Sequence, residues 1–352
     1  MRFIYDPLPY RVLFGAGSIS QVREEAERLG RRALVLSTPE QADSAEALAA
    51  TLGELAVGVF AGAVMHVPVD AVDLAMARVS ELGADCTVAI GGGSTIGLAK
   101  ILSLRLNLPS LVIPTTYAGS EVTPIWGLTE AGVKTTGRDR KVLPKVVIYD
   151  PDLSMSLPVD MSIASGLNAI AHSMEGLYAV DGNPIVTLMA EESIRALATS
   201  LPLIRENPLN AAARSDALYG CWLAGSVLGA ASVALHHKLC HTLGGTFNMP
   251  HAQTHTAVLP HAIAYNAPAV PGAMERASRA LGGGDPAMKL YELASDLGAE
   301  LSLAKLGMPR AGVAEAARLA VANPYPNPRA ITEDGITRLL ERALDGLPPR
   351  SG

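Results

Sequence analysis

Of the eight histidines in the 352-residue chain, six stand between His236 and His261. His237 and His241 are four residues apart, which puts both on one face of a helix. His251 follows Asn248-Met249-Pro250, past a break expected at Gly244-Gly245, so the chain can fold it back toward that face. His172 ends the run Asn168-Ala169-Ile170-Ala171-His172, where the same spacing sets an amide beside an imidazole. Imidazoles brought together from two helices either coordinate a metal through bare nitrogens or move protons near neutral pH. His172, His237, His241 and His251 are the candidates for that chemistry. His236, His255 and His261 read as capping, locally bonded or solvent-facing residues.

Two loops suit a phosphate-bearing ligand. Gly91-Gly92-Gly93-Ser94-Thr95 follows the apolar run CTVAI (86–90) and opens a helical stretch. Residues without Cβ let backbone approach a pyrophosphate, and free N–H groups at a helix start attract it. The next run, SLVIP (110–114), leads into Thr115-Thr116-Tyr117-Ala118-Gly119-Ser120-Glu121. Loops at the ends of successive parallel strands face one crevice, where such sheets bind dinucleotides. Gly15-Ala16-Gly17-Ser18-Ile19-Ser20 begins like a dinucleotide fingerprint, but Ser20 takes the place of its third glycine. It reads as a plain strand-to-helix turn.

The elements that must carry these residues fall into two sets. RVLF (11–14), RALVLS (32–37), LAVGVF (55–60), CTVAI and SLVIP read as strands, separated by stretches with apolar residues at helical spacing. This alternation predicts an α/β domain with a parallel sheet over residues 1–155. Residues 126–151 read as an excursion, a hairpin, before a last strand at KVVIYD (145–150). Residues 156–352 are Ala- and Leu-rich with helical periodicity and predict an all-α domain. A cleft between two such domains is the expected place for a small ligand.

Composition excludes several classes. The chain is 49% hydrophobic and 18% charged, which indicates a folded globular protein. A net charge of −6 leaves no basic footprint for nucleic acid or anionic lipid. Cys86, Cys221 and Cys240 match no zinc knuckle and cannot build a disulfide framework. The start of the chain does not read as a secretory signal, and no uninterrupted apolar run reaches the ~18 residues of a membrane span. The expected address is cytoplasmic.

The GGGS turn, the PTTYAGSE loop (114–121), the Asn168-to-His172 spacing and H-x3-H-x-LGG-x-x-N-x-PH (237–251) together resemble the iron-containing alcohol dehydrogenase family, almost from end to end. The resemblance implies a first half that binds NAD(P) and a helical second half. The family's fold, shared with dehydroquinate synthase, is thus expected. An aspartate and three histidines of the family hold a divalent metal; the histidines correspond to His172, His237 and His251. His241 corresponds to a further histidine near the nicotinamide. The aspartate position is Asn168, and an amide brings no negative charge to offset a cation. The family's metal positions are therefore expected to stay empty, with NADH or NADPH as the sole cofactor. Thr38, Gly92, Gly93, Ser94, Thr115, Thr116 and Lys134 correspond to cofactor contacts. Thr38 stands where NAD-selective members carry an aspartate, so use of both nucleotides is expected.

The departure at Asn168, with the runs SGLNAIAHSMEGLYA (165–179) and ALHHKLCHTLGGTFNMPHAQTHT (234–256), resembles the branch of the family that reduces maleylacetate. The implied reaction is reduction of the conjugated C=C of maleylacetate, or its halogenated analogues, to 3-oxoadipate in bacterial aromatic degradation. Hydride addition to an enone gives an enolate whose charge is spread over carbon and oxygen, so hydrogen-bond donors can take the place of a metal. His241 and His251 are the expected acid/base or oxyanion groups, with His172 and His237 beside them. Asn168, Tyr117, Lys238 and Tyr325 are candidate substrate contacts, with Arg138, Arg140, Lys141 and Arg329 as further cations for two carboxylates. A homodimer is implied, with residues 2–5 as a strand pairing across it. The alternatives are a metal-dependent alcohol or aldehyde dehydrogenase of the same fold and, more remotely, a non-catalytic nucleotide- or metal-binding protein.

Overall fold

The computed structural model describes residues 3–5, 7–8, 10–322 and 325–350. The chain divides into two compact units, Pro7–Leu157 and Pro158–Gly352, the latter with the amino-terminal segment Met1–Asp6.

In the first unit, β1 (Arg11–Phe14), β2 (Ala33–Leu36), β3 (Ala56–Phe60), β4 (Cys86–Gly91), β5 (Ser110–Pro114) and β8 (Val146–Tyr149) form one sheet in the order β1-β8-β5-β4-β2-β3, every pair parallel. The central strands are buried throughout and mostly apolar because helices cover both faces. On one face Val35, Val88, Ile90, Leu111 and Ile113 pack with Val22 of α1 (Val22–Glu27) and with Ala45 and Leu48 of α2 (Ala42–Leu52). On the other, Leu34, Leu36, Ala89 and Val112 pack with Val72 of α3 (Val69–Leu82) and Ile96 of α4 (Gly93–Leu106). Each buried aliphatic side chain contributes about 1.5–3 kcal/mol. The expected excursion is an antiparallel hairpin of β6 (Ile125–Glu130) and β7 (Val133–Arg138). Its two-residue turn holds Ala131 at φ 48° and Gly132 at φ 78°, the left-handed pair that matches strand twist.

The second unit is helical: α5 (Val159–Gly176), α6 (Pro184–Glu206), α7 (Ala211–Ala230), α8 (Leu235–Phe247), α9 (His251–Asn266), α10 (Pro271–Ala280), α11 (Pro286–Asp296), α12 (Gly312–Ala322) and α13 (Glu333–Leu344). Asn183 caps α6 by accepting from the Ile185 and Val186 amides, with Pro184 at the first helical position. Gly244 and Gly245 do not break the chain as expected. α8 runs through them to Phe247, and the stop is Asn248 in a left-handed conformation at φ 51°. Met249-Pro250 then reverses the chain into α9. No single described helix is long and apolar enough to cross a membrane; α7 and α8 pass only as a pair bent by 91°. Residues 3–5 form no strand within the chain, and Arg2 lies outside the described residues.

Candidate active site

α5, α8 and α9 build the site in the helical unit. Asn168, His172 and Glu175 lie on one face of α5, at helical spacings of four and three residues. His236, His237 and His241 come from α8, and His251 and His255 from α9. The rings of His172 and His237 stack, 5.0 Å between centroids and 26° between planes. His255 lies 4.9 Å from His236, 5.1 Å from His237 and 4.3 Å from His251. His241 and His251 face each other at 6.4 Å and 15°. His172, His236, His237 and His255 are buried, while His241 and His251 are exposed.

Two of these residues correct the expectations. His255 does not face solvent; it is 1% exposed, and neither ring nitrogen has a hydrogen-bond partner among the described residues. Its spacing of four from His251 was the available signal. His236 is buried rather than solvent-facing, and its Nε2 is bonded not locally but to the carbonyl of His255 on α9, at 2.9 Å. Glu175 was not foreseen. One of its oxygens accepts from the His236 amide at 2.7 Å; the other accepts from the Ala234 amide at 2.9 Å and His237 Nδ1 at 2.6 Å. The carboxylate thus caps α8, whose own N-cap residue Ala234 offers no side-chain bond.

The electrostatics follow from burial. Desolvation, then the other imidazoles, lowers His172 well below the usual histidine range and takes His237 down to about 3. Desolvation also lowers His236 to about 4 and His255 well below its ordinary value. Burial raises Glu175, opposed by the N–H groups that point at it. The resulting state is neutral imidazoles around one carboxylate. His237 then carries its proton on Nδ1 and presents a bare Nε2. Ring nitrogens of His236, His237 and His255 lie within 4.8 Å of one another, close enough to suggest a metal cluster. However, His236 Nε2 and His237 Nδ1 are already committed to the His255 carbonyl and Glu175. Among the described residues, Asn168 Oδ1, His172 Nδ1 and His237 Nε2 are buried without a partner, as are both ring nitrogens of His255. By donor type, Asn168 Oδ1, His172 Nδ1 and His237 Nε2 fit a divalent ion.

Around this cluster, Lys238 Nζ lies over the Tyr325 ring, 5.4 Å from its centroid. The buried Tyr325 hydroxyl has no partner among the described residues, and desolvation and then Glu175 push its titration up. Arg329 does not offer an open fork: its Nη1 donates to the Tyr265 carbonyl at 2.8 Å. Tyr117, in the α/β unit, is 1% exposed and leaves little ring for a ligand. Arg138, Arg140, Lys141 and Lys134 are exposed there.

The α/β unit decides between its two glycine turns. Gly17 and Ile19 donate their amides to the two oxygens of Asp150, so the first turn is filled by a carboxylate of its own unit. The second is open. α4 starts at Gly93 with Gly92 as N-cap and no side-chain cap, so Ser94 leaves the helix-start amides to other partners. A Cβ on Gly92 would meet Thr116 Cγ2 at 2.8 Å, whereas one on Gly93 would meet nothing within 4 Å. Gly91, at φ 149°, takes a backbone conformation that side chains rarely adopt. The Thr115 amide donates to the Gly91 carbonyl at 3.1 Å, joining the two loops, and Gln41 Nε2, from the segment after β2, donates to Thr115 Oγ1 at 3.1 Å. Lys100 anchors the second loop from inside, reaching the carbonyls of Ser120, Thr123 and Ile125 at 2.5, 2.9 and 2.7 Å. Thr38 flanks these turns and hydrogen-bonds the exposed Glu40 carboxylate, holding it below the usual range after Glu40's own backbone amide. The position is therefore less free of negative charge than Thr38 alone implied.

Comparison with known proteins gives matches over both units. The family described as iron-containing alcohol dehydrogenase matches residues 9–151, and the carboxy-terminal domain of the Fe-containing alcohol dehydrogenase family matches residues 162–344. The chain is 80% identical over 349 residues to a maleylacetate reductase of Sphingobium indicum, covering 99% of each. It is 57% identical over 348 residues to a maleylacetate reductase of Burkholderia cepacia, again covering 99% of each. The crystal structure of maleylacetate reductase from Rhizobium sp. strain MTP-10005 superposes with a TM-score of 0.97 at 52% identity, covering 99% of this chain and 100% of that one.

Proposed function

The chain belongs to the iron-containing alcohol dehydrogenase family, and from that membership we propose that it reduces the conjugated C=C of maleylacetate to 3-oxoadipate, the reaction of the reductases it resembles. It is an oxidoreductase, and its setting is bacterial degradation of aromatic compounds. The geometric observation that carries the reading is the cluster of neutral imidazoles to which α5 presents the amide of Asn168, its carboxylate Glu175 being taken up by the Ala234 and His236 amides and by His237 Nδ1.

A reduced nicotinamide, NADH or NADPH, supplies the hydride to the alkene carbon beta to the ketone. Electrons of the double bond then move toward the ketone oxygen, giving an enolate, and a proton added to the alpha carbon completes 3-oxoadipate. The protein has three tasks. The open amides at the start of α4, with Gly92, Gly93, Ser94, Thr115 and Thr116, hold the cofactor phosphates. Imidazole N–H groups steady the enolate oxygen, and His241 or His251, the exposed pair, delivers the proton. Lys238 and Tyr325 hold a substrate carboxylate. Asn168, His172 and His237 would hold a divalent ion if one binds, and it would polarise the ketone oxygen. Enolate charge is shared between two atoms, so turnover proceeds on the imidazoles alone.

A metal-dependent alcohol or aldehyde dehydrogenase is the second reading, favoured by the unpartnered donors Asn168 Oδ1, His172 Nδ1 and His237 Nε2. The test follows NADH consumption with maleylacetate while the metal content of the same sample is measured. Turnover at metal content far below one ion per chain supports the proposal. Turnover that vanishes with metal removal and returns with zinc or iron favours the second reading. Family membership also supports a cytoplasmic homodimer, which light scattering on the eluted protein checks for size.

A further inference from the structure

The carboxy-terminal end of α9, residues 329–332 and α13 enclose a cavity of about 620 Å3 in the helical unit, and none of the catalytic histidines lines it. The volume suits a small organic ligand. Its wall carries four guanidinium groups, from Arg329, Arg338, Arg342 and Arg350, against the single carboxylate of Glu341. Two of the four are held in place by the fold. Arg329 donates to the Tyr265 carbonyl and lies 4.6 Å over the Tyr265 ring centroid. Arg342 donates twice to the Pro348 carbonyl, at 3.0 and 2.5 Å. Arg338 pairs with Asp334, and Arg350 has no partner among the described residues.

His261 supplies an independent observation. It is 4% exposed, it lines this cavity, and its ring makes no hydrogen bond among the described residues. With no partner inside the fold, the imidazole can take one from the cavity that it lines. Burial, with Arg342 adding to it, holds the imidazole neutral, down to about 4, so it can offer one N–H near pH 7. The Tyr265 ring, Ala330 and Leu339 give the cavity an apolar side, and the hydroxyl of Thr332, which also lines it, accepts from the Gly335 amide. Guanidinium forks match carboxylate geometry, and an apolar floor has no use for a bare inorganic anion.

We propose that this cavity is a binding site for a small carboxylate with an apolar body, separate from the reaction centre and independent of the reaction assigned above. The acid group faces His261 and the guanidiniums, and the body rests on Tyr265 and Leu339.

Isothermal titration of the full-length protein with benzoate, and with inorganic phosphate as the anion without a body, tests it. Benzoate should bind saturably and phosphate at least about tenfold more weakly. Arg342→Gln and His261→Phe should each weaken benzoate by about tenfold, the loss of one charge-assisted bond. His251→Ala should leave benzoate binding unchanged, which separates this cavity from the reaction centre. Should Arg342→Gln or His261→Phe lower the melting temperature, Arg350→Gln decides, because that exposed side chain holds nothing else; a several-fold loss there, with turnover intact, supports the site. No saturable binding, equal binding of phosphate, or affinity untouched by the cavity variants overturns it.

Discussion

The Glu175 carboxylate lies 2.6 Å from His237 Nδ1 and fixes the proton there, which leaves His237 Nε2 bare. One buried acid on α5 therefore sets both the start of α8 and the tautomer of its central imidazole. Partners of this kind orient catalytic or ligating histidines, and their loss typically costs about 10–100-fold in activity or affinity.

Glu175→Gln should lower kcat by that factor, because an amide must turn its NH2 toward a donor that now faces a carboxylate. 15N spectra of histidine-labelled protein would show His237 with a single tautomer in the parent and a mixture in the variant. Glu175→Asp should recover part of the loss. A parent spectrum with the proton on Nε2 contradicts the assignment.

His241→Ala and His251→Ala should each retain the fold, since both side chains are exposed, and one of them should lose about 10²–10⁴ in kcat as the proton donor. Steady-state kinetics with melting curves separates this from instability. Full activity in both variants would remove the exposed pair from the mechanism.

EDTA treatment followed by gel filtration should leave maleylacetate reduction within about twofold of the untreated enzyme, the expectation for an enolate steadied by hydrogen bonds. Adding zinc or iron should then change little.

Gly92→Ala should raise the KM for NADH by about tenfold with little change in melting temperature. The new Cβ, 2.8 Å from Thr116 Cγ2, displaces the loop proposed to meet the phosphates, while φ −94° at this residue is open to alanine. An unchanged KM would move the phosphates elsewhere. In the parent, catalytic efficiencies with NADH and NADPH should lie within a thousand-fold, and Glu40→Gln should shift the ratio toward NADPH.

Burial takes Lys100 down to about 7, against Glu121, which raises it. In the unfolded chain its pKa is about 10.4, so between these values the unfolded state holds the extra proton. The Lys100 contribution therefore makes stability increase as pH climbs from about 7 to about 10, and stay at its lowest below 7. Denaturant melts of the parent and Lys100→Met across that range would show a slope in the first that is absent in the second. The variant should also lose about 3–5 kcal/mol at neutral pH, because Glu121 and three carbonyls lose their cation.

Local spacing made much of this protein legible. The i, i+4 relations of Asn168 with His172 and of His237 with His241 follow from helix geometry alone, and apolar runs alternating with helically spaced stretches pointed to the parallel sheet and to the glycine turn before α4. Contacts between distant segments were not legible, because helix packing creates them. Glu175 meets His237 across 62 residues, and Asp150 fills the first glycine turn across 133. Burial likewise turned His255, read as a capping, locally bonded or solvent-facing residue, into an imidazole with no partner among the described residues. Residue types determined which chemistry was available; only the folded chain decided which nitrogens were committed and which stayed bare, since a proton's position depends on whatever packs against the other side of the ring.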